Sequence, residues 1–223
     1  MEHIKANIYL NLYQDKHPTR QHEIEACLLK NLENKDFDRF IIVISKDDRE
    51  YLKSLVKEDE RVYIVVMDDR PTYNFYFKLT HQYPDDINII ANTDIVIESD
   101  TIKRLKGWNW RNYCLALSRW DYLDDTMSAA RSKHHANRDS QDVWAVKGRF
   151  KSIPEADFPL GKKGCDNRIA YLLDKYYIVI NPSQSIRTFH YHLTNIRNYA
   201  PHGTSKDLVL PPYMMVVPTK LPL

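Results

Sequence analysis

Glycine is scarce in this chain, since only 5 of its 223 residues are glycine. A dinucleotide-binding turn of the Gly-x-Gly-x-x-Gly type needs several glycines directly after a first strand, because the backbone there must approach a pyrophosphate closely. The segment that follows the first predicted strand, residues 14–18, has no glycine. The sequence therefore excludes a glycine-rich dinucleotide site, and a P-loop is excluded for the same reason.

Cysteine is also rare, and the three that are present, Cys27, Cys114 and Cys165, are far apart. They show neither the spacing of a zinc site nor a disulfide framework, so we expect a reducing compartment and a cytoplasmic protein. Residues 1–5 do not form a signal sequence, and no apolar run approaches the length of a membrane span.

The chain carries no marked excess of charge of either sign, because 32 basic and 30 acidic residues give a net charge of +2. This balance offers no argument for non-specific binding to nucleic acid or to a membrane surface. The length is sufficient for one domain with a sizeable core.

The first 98 residues alternate between apolar runs typical of strands and segments with helical spacing of apolar residues. This order predicts an α/β fold with a mostly parallel central sheet and helices on both faces. The predicted strands are 7–13, 40–45, 62–67 and 87–91, and the predicted helices are 20–34, 48–57 and 72–82.

The pattern is looser after residue 98, where we predict strands at 113–119, 143–147, 177–181 and 186–192 and helices at about 99–105 and 165–175. Residues 124–140 are polar and predict a long mobile loop, with His134 and His135 solvated. We expect residues 1–200 to form a single domain. Residues 201–223 contain five of the eleven prolines and predict an extended arm or a linker.

A short polar motif, Asn92-Thr93-Asp94, follows the apolar run 87–91 and precedes a second apolar run, 95–97. Open α/β sheets bind ligands at the carboxyl ends of their strands, so Asp94 is well placed to hold a divalent cation and, through it, a phosphate. The alternative is a polar turn that only ends the strand.

Two further acidic residues lie at the ends of predicted elements. Asp142 precedes a strand and is a candidate for chemistry, although it could equally pair with Arg138 or Arg149. Asp166 lies at the start of a helix, where it could cap the helix, and where the backbone amides should lower its pKa. It could still accept a proton from a sugar hydroxyl in a dry site.

His190 and His192 are two residues apart, so they share one face if they lie on a strand. Imidazole and carboxylate ligands together suit Mn²⁺, whereas Mg²⁺ is more selective for oxygen. The alternative is a partly exposed strand edge. Trp120 and Trp144 could stack on sugar rings or could belong to the core.

Taken together, these clusters resemble the GT-A fold nucleotide-sugar glycosyltransferases, including the small glycosyltransferase domains of large DNA viruses and of bacterial glycan clusters. Their nucleotide-binding half, here residues 1–98, ends in a short acidic "DXD" motif, and an acceptor half, here residues 99–200, follows. Asn92-Thr93-Asp94 stands where that motif is expected, with asparagine in place of its first aspartate.

The resemblance implies transfer of a hexose from a nucleotide-sugar donor, with UDP favoured, to a glycan or glycoprotein acceptor, with inversion slightly favoured. It implies Mn²⁺ or Mg²⁺ held by Asp94 and by His192, or less favourably by His190. It implies that Asp142, slightly ahead of Asp166, is the catalytic base. Asn92 would contact the ribose or a bound water, and Arg197 and Lys78 could assist at the diphosphate. The implied base and ribose pocket comprises Asn11, Tyr13, Asp68, Asp69 and Arg70.

Three other classes compete with this interpretation. A sugar-1-phosphate nucleotidyltransferase would need a glycine-rich phosphate loop, which residues 14–18 do not provide. A metal-dependent phosphoesterase could use Asp94, His190 and His192. A non-catalytic nucleotide- or glycan-binding module would bind the donor without turnover.

Overall fold

The computed structural model describes residues 4–56, 58–194, 196 and 208–222. Its strands are β1 (Ala6–Asn11), β2 (Arg39–Ile44), β3 (Val62–Val66), β4 (Ile87–Ala91), β5 (Ile95–Ile97), β6 (Tyr113–Leu117), β7 (Trp120–Tyr122), β8 (Ser132–His134), β9 (Val143–Lys147), β10 (Ile178–Ile180) and β11 (Thr188–His190). Its α-helices are α1 (Pro18–Glu33), α2 (Arg49–Val56), α3 (Tyr73–Thr80), α4 (Ser99–Gly107) and α5 (Cys165–Asp174).

Seven strands form the central sheet in the order β10-β6-β9-β4-β1-β2-β3. Strand β9 is antiparallel to both of its neighbours, and the other pairs are parallel. Helices connect the first four strands, as parallel pairing requires. The predicted α/β class and mostly parallel sheet are confirmed.

Both faces of the central sheet are covered, because successive residues of a strand point to opposite sides. In β1, Ile8 and Leu10 pack in the cluster that contains apolar residues of α1, α2 and α4, whereas Tyr9 packs in the cluster of α3 and α5. Trp144 of β9 is fully buried in this second cluster, where it contacts Tyr73 edge to face. Trp144 is therefore a core residue and not a platform for a sugar ring.

A second, smaller sheet has the order β5-β11-β7-β8. The prediction of a long mobile loop at 124–140 was wrong in part, because this segment contains a 3₁₀ turn at Ala129–Arg131 and strand β8. Three-residue strands are too short to show a periodic pattern. His134 belongs to β8 and is not a solvated loop residue, because its ring stacks on Trp120 with 4.8 Å between the ring centroids.

The described part of the C-terminal segment, residues 208–222, packs against the body of the protein. The amide of Val209 donates to the carbonyl of Lys163, and the amide of Thr219 donates to the carbonyl of Asn181. Val216 is buried between these two attachment points. Among the described residues, no helix is long and apolar enough to cross a membrane.

A buried asparagine on α1 holds strand β5 in place. Asn31 is fully buried, its Nδ2 donates to the carbonyl of Ile95 at 2.8 Å, and its Oδ1 accepts from the amide of Ile97 at 2.8 Å. The other edge of β5 pairs with β11. The side chain of Asn31 thus serves as the missing neighbouring strand along the open edge of β5.

We expect Asn31→Ala to lower the free energy of unfolding by about 2–4 kcal/mol, because it leaves a buried carbonyl and a buried amide without partners. Urea unfolding followed by circular dichroism measures this loss. Asn112→Ala is the matched control, since Asn112 is exposed and donates one hydrogen bond, to the carbonyl of Tyr176. A loss no larger than that of the control would contradict the role assigned to Asn31.

Candidate functional site

A cavity of about 510 Å³ opens at the carboxyl ends of β1 and β4. Asn11 and Ala91, the last residues of these two strands, line it. The motif that follows β4 and the first turn of α5 also line it. The cavity therefore lies where open α/β sheets bind ligands.

Three side chains on the wall of the cavity could hold a metal ion. The candidate ligand atoms of Asp94, His190 and His192 all lie within 4.8 Å of one another. They come from distant parts of the chain and meet because β11 pairs with β5 in an antiparallel register that places His190 opposite Ile95. Both histidines named from the sequence thus lie beside Asp94.

The ring of His190 is fixed between two carboxylates. Its Nδ1 lies 2.9 Å from Oδ1 of Asp121, and its Nε2 lies 3.2 Å from Oδ2 of Asp94. Burial of the ring opposes protonation, but the charges of these carboxylates outweigh it and raise the pKa of His190 to about 9. Asp121 therefore orients Nε2 towards the metal position, as carboxylates do behind histidine ligands.

His192 has the complementary arrangement. Its Nε2 donates to the carbonyl of Ile196 at 2.8 Å, so its Nδ1 carries the lone pair. Burial lowers the pKa of His192, and the positive charges of Arg20 and His190 lower it further. The neutral ring that results is the form that a metal ion requires.

Arg20 was not identified from the sequence, although it is central to this wall. Its guanidinium donates to Oδ2 of Asp94 at 2.5 Å and to Glu23 at 2.9 Å. Burial alone would raise the pKa of Asp94, but the charges of His190 and Arg20 hold it well below its usual range. A signal existed, because Arg20 lies four residues before Ile24 on the apolar face of α1.

Asp142 lies in a hydrogen-bonded network. Its Oδ1 accepts from Nδ2 of Asn92 at 2.7 Å, and its Oδ2 accepts from Arg119 at 2.9 Å. Arg119 also donates to Asp121 at 2.8 Å. Both oxygens of Asp142 are thus used by protein donors, and the amide of Asn92 faces Asp142.

Asp166 is partly buried in the first turn of α5, where it accepts from the thiol of Cys165 at 3.1 Å. Burial, with the negative charge of Asp142 as a second cause, raises the pKa of Asp166 to about 7. The expectation that backbone amides would lower this pKa was wrong. Hydrogen bonds from the amide of Gln141 and the thiol of Cys165 do lower the pKa, but by less than burial and the charge of Asp142 raise it. Asp166 can therefore exchange a proton near neutral pH.

The remaining sequence-derived positions divide into two groups. Asn11, Tyr13 and Arg70 line the cavity, and Nδ2 of Asn11 donates to the carbonyl of Val43. Asp68, Asp69 and Lys78 are exposed and are not among the described residues that line it. Arg197 lies outside the described residues.

Positive charge predominates among the described residues that line the cavity, because five are arginine or lysine and three are aspartate. The basic residues are Arg20, Arg70, Arg119, Lys162 and Lys163, and the acidic residues are Asp94, Asp142 and Asp166. Lys162 and Lys163 lie in a loop that ends at Gly164, whose φ is +80°. A Cβ on Gly164 would lie 2.8 Å from the hydroxyl oxygen of Tyr213 in the C-terminal segment, so this position requires glycine.

No protein-family profile matches the chain, and no curated protein matches it by sequence. Solved structures do match. A mannosyltransferase from Pyrobaculum calidifontis, PcManGT, determined with GDP-Man and Mn²⁺, superimposes with a TM-score of 0.54 at 12% identity. The match covers 87% of this chain and 58% of the mannosyltransferase, so this chain spans little more than half the length of that protein.

Two other solved structures match less well. A 4-diphosphocytidyl-2C-methyl-D-erythritol synthase from Anaerococcus prevotii has a TM-score of 0.47 at 15% identity, over 92% of this chain and 95% of that one. TarS from S. aureus, in complex with UDP-GlcNAc, has a TM-score of 0.41 at 13% identity. This match covers 55% of this chain and 36% of the TarS chain. At 12% identity the match to the mannosyltransferase shows a shared α/β fold, which is GT-A-like or Rossmann-like.

Proposed function

We propose that this protein is a metal-assisted glycosyltransferase that moves a hexose from a UDP-sugar or a GDP-sugar to a hydroxyl group of a glycan or glycoprotein, with inversion at the anomeric carbon. One observation carries the proposal. Asp94, His190 and His192 converge at the carboxyl end of β4, in a cavity that Asp166 also lines. The mannosyltransferase of similar fold was determined with a nucleotide sugar and Mn²⁺.

The charge of the cavity suits a nucleoside diphosphate. Lys162 and Lys163 lie on the loop before α5, and Arg70 is attached to the same loop through the carbonyl of Leu160. These cations can attract the diphosphate, and Tyr13, which also lines the cavity, supplies an aromatic surface near Arg20 and Arg70.

The candidate metal group has one carboxylate and two imidazoles, a donor set that fits Mn²⁺ better than Mg²⁺. Asp121 orients His190, and the carbonyl of Ile196 orients His192. A divalent cation held there would neutralise the negative charge that develops on the departing diphosphate.

Asp166 is better suited than Asp142 to accept the proton of the acceptor. The acceptor oxygen forms a bond to the anomeric carbon, the bond from that carbon to the diphosphate breaks, and the hydroxyl proton passes to the carboxylate of Asp166. A pKa of about 7 lets this group accept and release a proton at neutral pH. Asp142 accepts hydrogen bonds from Asn92 and Arg119, and we assign it the structural role of holding these two side chains in place.

Metal-assisted nucleotide binding gives the first test. We expect Mn²⁺ to strengthen the binding of UDP or GDP in calorimetry, and we expect Asp94→Ala and His192→Ala to abolish that gain, because each removes a candidate ligand. Asp68→Ala is the matched control, since Asp68 is exposed outside the cavity. Failure of both nucleotides to bind, with and without Mn²⁺, would refute the proposed function.

The pH dependence tests the base. Nucleotide release from UDP-hexoses and GDP-hexoses should fall as the pH drops below about 7, because Asp166 then holds a proton. Asp166→Asn should lower kcat by about 10²-fold or more and leave the donor KM unchanged. Cleavage that proceeds without an acceptor and yields a nucleoside monophosphate and a hexose 1-phosphate would instead favour a phosphoesterase.

The pH dependence of protein stability gives a second, independent test of the raised pKa of Asp166. Because its folded-state pKa is raised, Asp166 contributes most to stability below its unfolded pKa of 3.8, and this contribution is lost as the pH rises through about 7. The melting temperature of Asp166→Asn should therefore rise relative to the parent between pH 5 and pH 8. A difference that does not change with pH would contradict the raised pKa.

A further inference from the structure

A permanent positive charge lies against the candidate metal ligand. Arg20 lines the cavity although it is only 6% exposed, and its guanidinium donates to Oδ2 of Asp94 at 2.5 Å. The same oxygen lies 3.2 Å from Nε2 of His190. A cation that binds Oδ2 of Asp94 must therefore compete with Arg20 for the lone pairs of this oxygen.

The position of Arg20 is fixed by a second acidic residue. Nη1 of Arg20 donates to Oε2 of Glu23 at 2.9 Å, and Glu23 is itself buried. Glu23 also accepts from the amide and the hydroxyl of Thr194, two residues beyond His192. The guanidinium is thus held at the wall of the cavity in a defined orientation, which reduces the entropy lost when it binds an anion.

We propose that Arg20 is a resident counter-ion of the diphosphate site: it competes with the divalent cation for Asp94 and, when no metal is bound, holds the diphosphate of the donor itself. This inference rests on the proposed function for the identity of the ligand. A guanidinium suits the task, because its planar set of donors matches phosphate oxygens. The candidate metal group contains a single carboxylate, so loss of part of that carboxylate to Arg20 weakens the metal site appreciably.

Competition for Asp94 can be distinguished from mere orientation of Asp94 by the direction in which removal of Arg20 changes the affinity for Mn²⁺. If Arg20 only oriented Asp94, its removal would loosen the ligand and weaken the binding of Mn²⁺. If Arg20 competes for Asp94, its removal strengthens the binding of Mn²⁺, because a like charge at close range is lost. The two roles can thus be separated without any substrate.

The experiment measures two affinities. Free Mn²⁺ is titrated by electron paramagnetic resonance with the parent, Arg20→Gln and Arg20→Lys, and UDP, GDP and pyrophosphate are titrated by calorimetry in EDTA. We expect Arg20→Gln to bind Mn²⁺ about tenfold more tightly than the parent. We expect it to bind the diphosphates in EDTA at least about tenfold more weakly. Arg20→Lys should fall between the two.

Two further variants guard the interpretation. Arg20→Gln leaves Glu23 buried without its partner, so Arg20→Gln/Glu23→Gln keeps the proposal testable if the single variant does not fold. Arg104→Gln is the matched control, because Arg104 is an exposed helical arginine that pairs with Asp100. It should change neither affinity.

Unchanged or weaker binding of Mn²⁺ in Arg20→Gln would overturn the competition between Arg20 and the metal. Absence of diphosphate binding by the parent in EDTA would overturn the second part of the proposal. If no nucleotide binds even with Mn²⁺, the proposed function fails, and the titration of Mn²⁺ alone still decides whether Arg20 competes for Asp94.

Discussion

The antiparallel pairing of β11 with β5 is the interaction on which the site depends. It joins residues more than ninety positions apart in the chain, and it brings His190 within hydrogen-bond distance of Asp94. Strand β5 is in turn secured by Asn31 of α1, so the first helix supports the same strand from its other edge. The small sheet therefore sets the geometry of the candidate metal group, and two strands of the large sheet, β1 and β4, end at the cavity.

The site concentrates charge in a way that favours chemistry over stability. Arg20, Arg119 and His190 are held among carboxylates, and Asp166, which lines the same cavity, has a pKa raised by burial. Burying charged groups costs free energy unless the charges are paired. The network satisfies most of these charges internally and leaves Asp166 as the group whose protonation changes near neutral pH, a pattern typical of functional sites.

Most of the fold could be predicted from the sequence, because the strands of a covered parallel sheet are continuous apolar runs such as that of β4. The location of Asp94 followed from the end of that run. Arg20 could not be paired with Asp94 in advance, since the contact spans 74 positions and depends on how α1 packs. The pKa of Asp166 could not be predicted either, because burial and the charge of Asp142 are properties of the folded cavity.

The most direct measurement is a crystal structure of the protein grown with MnCl₂ and a nucleoside diphosphate, UDP or GDP, with anomalous data collected at the manganese edge. The account predicts a single strong anomalous peak bounded by Asp94, His190 and His192, with the diphosphate between that peak and the lysines of the loop before α5. A nucleotide bound outside this cavity, or manganese bound away from these three side chains, would contradict it.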